Sequence, residues 1–181
     1  MSGGRLIAVV GPSGAGKDSL IAGLADADSG LRPVRRVITR PTQVGGEPFE
    51  GVDETEFDAR QAAGAFCLSW QAHGLSYGIP AEALTSVEAG EARRVNLSRH
   101  VLPKADAVFP SLVVLNVTAS PQTLAARLAR RGRETKDDIA RRLSRQVEPF
   151  ATGLIVHTIP NDGALQDAIK TALGALRLVR A

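Results

Sequence analysis

The stretch GPSGAGKDS, residues 11 to 19, carries the groups that most plainly do chemistry. Gly11, Gly16 and Lys17 match the pattern G-x-x-x-x-G-K-[ST]. In that pattern a glycine-rich turn offers backbone N–H groups to an anion, and the lysine reaches the outer phosphates. Pro12, Ser13, Gly14 and Ala15 complete the turn, so the stretch predicts a nucleoside triphosphate site, ATP first. The position that usually gives magnesium a hydroxyl is Asp18, followed by Ser19. One helical residue turns a side chain by about 100°, so Ser19 does not face where Asp18 faces. A carboxylate repels a triphosphate unless a cation lies between them; with Mg²⁺ there, it becomes an ordinary oxygen ligand, directly or through water. Asp18 is therefore the candidate metal contact. The other reading is an acidic first-turn residue favoured by the helix dipole.

A second group of residues is cationic. Residues 127 to 145 (RLARRGRETKDDIARRLSR) hold seven arginines, with a break at Gly132. Arg131 and Arg133 sit at the break and Arg142 lies beyond a capping pair, Thr135 with Asp138. Phosphoryl transfer needs positive charge around three equatorial oxygens, and an arginine-bearing hinge supplies it. Some of these arginines also fit a solvated helix face, paired as Asp137–Arg141 or Asp138–Arg142.

The acceptor is constrained by what is missing. A kinase acting on an alcohol needs a carboxylate to take the proton, whereas an acceptor that is already a phosphate needs only positioning and neutralisation. No isolated carboxylate stands at the strand ends. Arg36, Thr39 and Arg40 (RVITR), Tyr77, and Asn96, Ser98 and Arg99 (RRVNLSR) stand there instead. Beside a phosphate loop they point to a pocket for a second phosphorylated molecule.

The elements that must position these groups follow from periodicity. RLIAVV (5–10) is a buried strand feeding the loop, and a helix runs from about Gly16 to Ala27. A strand is expected over 34–38 and a loop over 40–52. A helix capped by Asp53 and Glu56 stops near Gly64. Strands 66–70 and 75–77 form a hairpin turning at His73-Gly74, and Pro80 opens a helix that Gly90 closes. Strands 93–97 and 112–117 come next. Ser120-Pro121 starts a helix ending at Gly132, and a further helix spans 136–150. Strand 154–159 and a terminal helix from about Ala164 complete the chain. Apolar strands alternating with helices imply α/β organisation, a parallel sheet covered on both faces.

Composition excludes several classes. The 181 residues suffice for one well-cored domain and not for two. No apolar run nears the roughly 20 residues that span a bilayer, and the N-terminus shows no signal-peptide cleavage pattern. Cys67 is the only cysteine, which excludes an intrachain disulfide or Cys-rich zinc site and favours a reducing cytoplasm. Arginine supplies 18 of 22 positive charges against a formal net charge of +3. Aromatic content of 4% is too low for nucleic-acid stacking platforms, so neither nucleic acid nor membrane is expected as a partner. Oligomeric state is left open.

The order GPSGAGK, VITRP, a GGE loop, Tyr77-Gly78, RLARRGRET and IARRL resembles the guanylate kinase group over nearly the whole chain. The resemblance implies a three-layer P-loop nucleoside-monophosphate-kinase-like fold in a single domain, 1–181. Its central parallel sheet would carry an acceptor-binding insert (about 34–80) and a helical lid (about 127–145). It further implies that Thr39, Arg40 and Tyr77 grip the acceptor phosphate while Arg131, Arg142 and Arg133 clamp the transferred group. Departures are equally informative. Ser69 stands where that group reads guanine with a glutamate, Asn96 and Ser98 replace an acidic pair, and Gln43 replaces a second phosphate-gripping arginine. Losing a buried pairing costs about 1–3 kcal/mol per group, so guanine is poorly served. GPSG-x-GKDS, ITR, LSWxAxGLxYG, VN-x-SR and RGRE resemble more specifically the ribose 1,5-bisphosphate phosphokinase family, which shares the aspartate after the loop lysine. That resemblance implies Mg²⁺-dependent ATP use, a phosphate acceptor, and sugar hydroxyls met by Asn96, Ser98 and Ser69. Alternatives are a divergent guanylate kinase acting on GMP, and a non-catalytic binding module, which would be expected to have lost Lys17 and its glycines.

Overall fold

A strand that is apolar on both faces has no side to give to water, and Arg5–Val10 (β1) is buried along its whole length. The computed structural model describes residues 4–41, 48–132, 135–144 and 149–178. In it β1 is the middle of a five-stranded parallel sheet. It pairs with Ala92–Asn96 (β7) on one side and Leu112–Thr118 (β8) on the other. Leu31–Pro33 (β2) and Ile155–Pro160 (β9) form the edges, giving the order β2-β7-β1-β8-β9. Side chains alternate between two cores. Ile7 and Val9 pack with Leu20, Ile21 and Leu24 of helix Lys17–Ala27 (α1) and with Ala168, Ala172 and Leu176 of helix Leu165–Leu178 (α7). Leu6, Ala8 and Val10 pack with Ala83 and Val87 of helix Ala81–Glu88 (α3) and with Leu102 and Ala105 of helix Leu102–Val108 (α4). Burying each of these aliphatic side chains stabilises by about 1.5–3 kcal/mol at most. The buried Arg5 guanidinium donates to the carbonyl of Leu176 at 3.1 Å, satisfying a group in the last turn of α7.

A second sheet, order β4-β3-β6-β5, is built from Phe49–Gly51 (β4), Arg36–Ile38 (β3), Leu75–Pro80 (β6) and Phe66–Ala72 (β5). Two expectations are corrected here. The strand expected over 34–38 is β3, shortened to Arg36–Ile38; the unexpected β2 precedes it in the other sheet, where the Val34 N–H still donates to the Arg94 carbonyl at 2.9 Å before the chain crosses. The loop expected over 40–52 contains β4, because Phe49 and Val52 find burial beside β3. The hairpin of β5 and β6 turns where expected, with positive φ at His73 and Gly74 (53° and 72°), the twist-matched two-residue turn. Helix Glu54–Ala62 (α2) begins at Asp53, whose carboxylate accepts the Glu56 N–H at 2.7 Å.

The 3-10 turn Arg99–Val101 and α4 were not expected from periodicity. Helix Pro121–Arg131 (α5) starts on the Ser120 cap and ends at Gly132, φ 64°. Helix Lys136–Leu143 (α6) opens with a capping box between Thr135 and Asp138. It ends at Leu143, with Ser144 as its C-cap, rather than running to Phe150, which packs beside Arg99. Among the described residues, no helix is long and apolar enough to cross a membrane.

Candidate active site

β1 delivers the chain into the phosphate loop, and two glycines there have no substitute. At Gly11 (φ 151°) a Cβ would lie 2.3 Å from the Val117 carbonyl oxygen, and at Gly16 (φ 91°) it would lie 2.4 Å from the Asn161 amide nitrogen. Gly14 and Ala15 are buried, and Pro12 and Ser13 are exposed. No side chain caps the start of α1, so its first-turn N–H groups face outward as an anion site. Lys17 Nζ donates to the carbonyls of Gly11 at 2.9 Å and Pro12 at 3.2 Å, which holds the ammonium across the mouth of the loop. Asp18 and Ser19 are exposed on the first turn.

Beneath the loop stand two residues that sequence reasoning missed. Asn161, just beyond β9, donates its side-chain N–H to the Ala15 carbonyl at 2.7 Å and its backbone N–H to the Thr118 carbonyl at 2.8 Å. Arg127 of α5 donates to the carbonyls of Asn161 at 2.7 Å, Gly14 at 3.2 Å and Ala15 at 3.4 Å. These bonds tie the loop to the ends of β8 and β9 and to the middle of α5. The only sequence signal was Arg127's membership of the arginine cluster and a polar Asn161-Asp162 pair after an apolar strand. Asp162 accepts the Ser120 N–H at 2.7 Å, and that bond, with the nearby Thr123 and Ser120 side chains, holds its carboxyl below the usual range.

Asp18 meets the end of β7: Asn96 donates its side-chain N–H to Asp18 Oδ1 at 3.3 Å. Among the described residues no group of three or more His, Cys, Asp or Glu side chains could cage a metal. Mg²⁺ does not ask for one, because it keeps several waters and takes one or two carboxylates plus substrate phosphates. Asp18, oriented by an amide and beside the phosphate loop, fits that limited role.

The acceptor candidates lie on the second sheet and after β7. The Tyr77 ring stacks on Trp70, centroids 5.1 Å apart and 7° from parallel, and the Arg36 guanidinium sits 5.8 Å from the Tyr77 centroid. Thr39 uses its hydroxyl to accept the Ser76 N–H at 2.8 Å, so it organises the junction of β3 and β6. Arg40 lies over the Phe49 ring at 4.3 Å and Arg99 over Phe150 at 3.6 Å. Among the described residues, Nε of both arginines is buried without a hydrogen-bond partner. Burial pushes the Arg99 guanidinium below its usual pKa. Ser98 is half-buried just before the 3-10 turn and caps nothing with its side chain.

Ser69 is not brought together with Tyr77. The register pairs Trp70 with Tyr77 and Ser69 with Gly78, and neighbouring residues on a strand point to opposite faces. Ser69 therefore belongs to the face away from Trp70 and Tyr77. Arg131 is exposed at the end of α5. Arg133 and Gln43 lie outside the described residues, and Arg142 is placed on α6 by its backbone alone.

A phosphate loop at the end of the central strand of a parallel sheet, with a small second sheet bearing arginines and a tyrosine, defines a P-loop kinase of the nucleoside-monophosphate-kinase fold. A guanylate kinase from Anaplasma phagocytophilum shares that fold, with a TM-score of 0.71 at 18% identity over 99% of this chain and 86% of that one. No family model matches the sequence. Ribose 1,5-bisphosphate phosphokinase PhnN from Ruegeria sp. is 50% identical over 179 residues, 98% of this chain and 94% of the relative. The protein of the same name from Agrobacterium fabrum is 48% identical over 175 residues, 95% of this chain and 96% of the relative. The chain belongs to the ribose 1,5-bisphosphate phosphokinase family.

Proposed function

We propose that the protein transfers the γ-phosphoryl group of ATP to the 1-phosphate of ribose 1,5-bisphosphate, giving 5-phosphoribosyl 1-diphosphate and ADP. The observation that carries this is the 50% identity, over nearly the whole of both chains, to a relative bearing that activity in its name. An oxygen of the 1-phosphate attacks the γ-phosphorus, and the bond from that phosphorus to the β,γ-bridging oxygen breaks, leaving its electron pair on ADP. The nucleophile is already an oxyanion, so no proton has to leave it. That agrees with the acceptor candidates Arg36, Arg40, Tyr77, Asn96 and Ser98, none of which is a carboxylate general base.

The loop N–H groups and Lys17 neutralise the β- and γ-phosphates. Mg²⁺ would supply further positive charge against the phosphates, and Asp18 would hold it directly or through a water. Arg131, Arg142 and Arg133 supply charge to the equatorial oxygens, which makes 127–145 the lid and 34–80 the acceptor region of one domain. Asn96 and Ser98 meet the sugar hydroxyls. The single cysteine, Cys67, agrees with a reducing compartment, and the cytoplasm is the compartment proposed.

An ADP-release assay across ribose 1,5-bisphosphate, ribose 5-phosphate, gluconate, AMP and GMP tests the reading. Ribose 1,5-bisphosphate should be turned over and GMP should be poor even at millimolar concentration. GMP turnover at a rate comparable with the best sugar phosphate restores the guanylate kinase reading.

A further inference from the structure

The acceptor proposed above carries two phosphates held apart by a sugar ring. The reacting one must lie in line with the γ-phosphate, beside Lys17 and Asp18. The other needs its own cation to contribute to binding, and a rigid one, because a pre-organised group loses little freedom on association.

Arg99 meets that requirement. It follows Asn96, whose amide touches Asp18, by three residues, so it stands at the same end of the central sheet as the phosphate loop. Its partner Phe150 packs against the buried cluster that also holds Trp70 and receives Tyr77, so both aromatic shelves border one core. Val101 and Leu102, each 1% exposed, anchor the turn that presents it. The guanidinium carbon is 3.6 Å from the Phe150 centroid, and a guanidinium whose face is covered by a ring donates only at its edge. Among the described residues no carboxylate pairs with it. A partly buried, unpaired cation costs free energy that an anion would offset, and an arginine edge matches phosphate bidentately.

We propose that Arg99, seated on Phe150, binds the non-reacting 5-phosphate of ribose 1,5-bisphosphate, while the arginines of the second sheet serve the reacting 1-phosphate. The assignment rests on the acceptor reading in the preceding subsection. It makes Arg99 the residue that tells a sugar bisphosphate from a sugar monophosphate.

The test compares steady-state kinetics with ribose 1,5-bisphosphate and with ribose 1-phosphate, which lacks the second phosphate. Arg99→Ala should raise KM for the bisphosphate roughly 10- to 100-fold, the range of a lost charge-assisted hydrogen-bond pair. It should leave kcat and the KM for ATP near wild type and barely change the use of ribose 1-phosphate. Arg99→Lys should recover part of the loss, and Phe150→Leu should raise the same KM several-fold. Calorimetric titration of ribose 1,5-bisphosphate without ATP should show the same weakening. Equal losses on both acceptors, or an unchanged KM in a folded Arg99→Ala protein, overturn the assignment and leave the kinase reading standing. Failure of the wild-type protein to use ribose 1,5-bisphosphate brings down both.

Discussion

Lys17 is the residue on which transfer depends most directly. In the structure its ammonium rests on the carbonyls of Gly11 and Pro12, a local pairing that a bound triphosphate would replace. Lys17→Ala should therefore cut kcat by at least about 100- to 1000-fold and change the melting temperature little; an unchanged turnover number would remove the phosphate-loop assignment. Asp18 is a sharper question, because it stands where a hydroxyl is usual and touches Asn96. If it holds Mg²⁺, Asp18→Ala should raise the Mg²⁺ concentration for half-maximal rate and slow turnover by roughly 10- to 1000-fold. It should also narrow the difference in nucleotide affinity measured with and without Mg²⁺. Asp18→Ser should recover part of the loss. A variant with unchanged Mg²⁺ dependence and rate leaves Asp18 as a first-turn acid that complements the helix dipole.

Elements decide how well those residues are held. The loop is clamped from below by Asn161, whose side chain reaches Ala15 across 146 positions of sequence. Asn161→Ala removes that bond, while Arg127 keeps a longer one at 3.4 Å. A loss of about 1–2 kcal/mol follows, a fall in melting temperature of roughly 2–8 °C for a domain of this size, with a raised KM for ATP. A melting temperature and KM both at the wild-type values would show the clamp to be idle. Asp162 holds the start of α5 through the Ser120 N–H, and its lowered pKa gives that contact a pH signature. Its stabilisation is complete above the ordinary aspartate value of 3.8 and is lost as pH falls below it through the lowered native value. The melting-temperature gap between wild type and Asp162→Asn should therefore be present at neutral pH and close in acid; a gap that persists unchanged in acid contradicts it. What was legible in the sequence follows the same division. β1, the glycine turn, the hairpin turn and the α5 and α6 caps were readable because their causes are local. The existence of β2 and β4 and the clamp by Asn161 and Arg127 were not, because each depends on partners far along the chain. Ser69 is an intermediate case: the turn at His73-Gly74 fixes the register, and counting outward from it pairs Ser69 with Gly78.

At the scale of the whole molecule, the two sheets share one problem. The phosphate loop hangs from the five-stranded sheet, and Arg36, Arg40 and Tyr77 belong to the four-stranded one. Leu68, Trp70 and Ile79 of the second sheet are buried in the same cluster as Leu6, Ala8 and Val10 of the first. The second sheet's separate core is small: Val37, Val52 and Phe57 among the described residues. Three side chains cannot offset the backbone entropy of four strands and a helix, so the second sheet should not stay folded once the first melts. Calorimetry should accordingly give a single transition. A ligand for either half should then raise all of it. At 100 times its Kd, Mg²⁺ with a non-hydrolysable ATP analogue, or ribose 1,5-bisphosphate alone, stabilises by about 2.7 kcal/mol. The expected rise in melting temperature is roughly 5–11 °C, and GMP at the same concentration should give almost none. Two resolved transitions, or a ligand that shifts only part of one, would mean that the sheets unfold independently and that the shared cluster does not couple the two substrate sites.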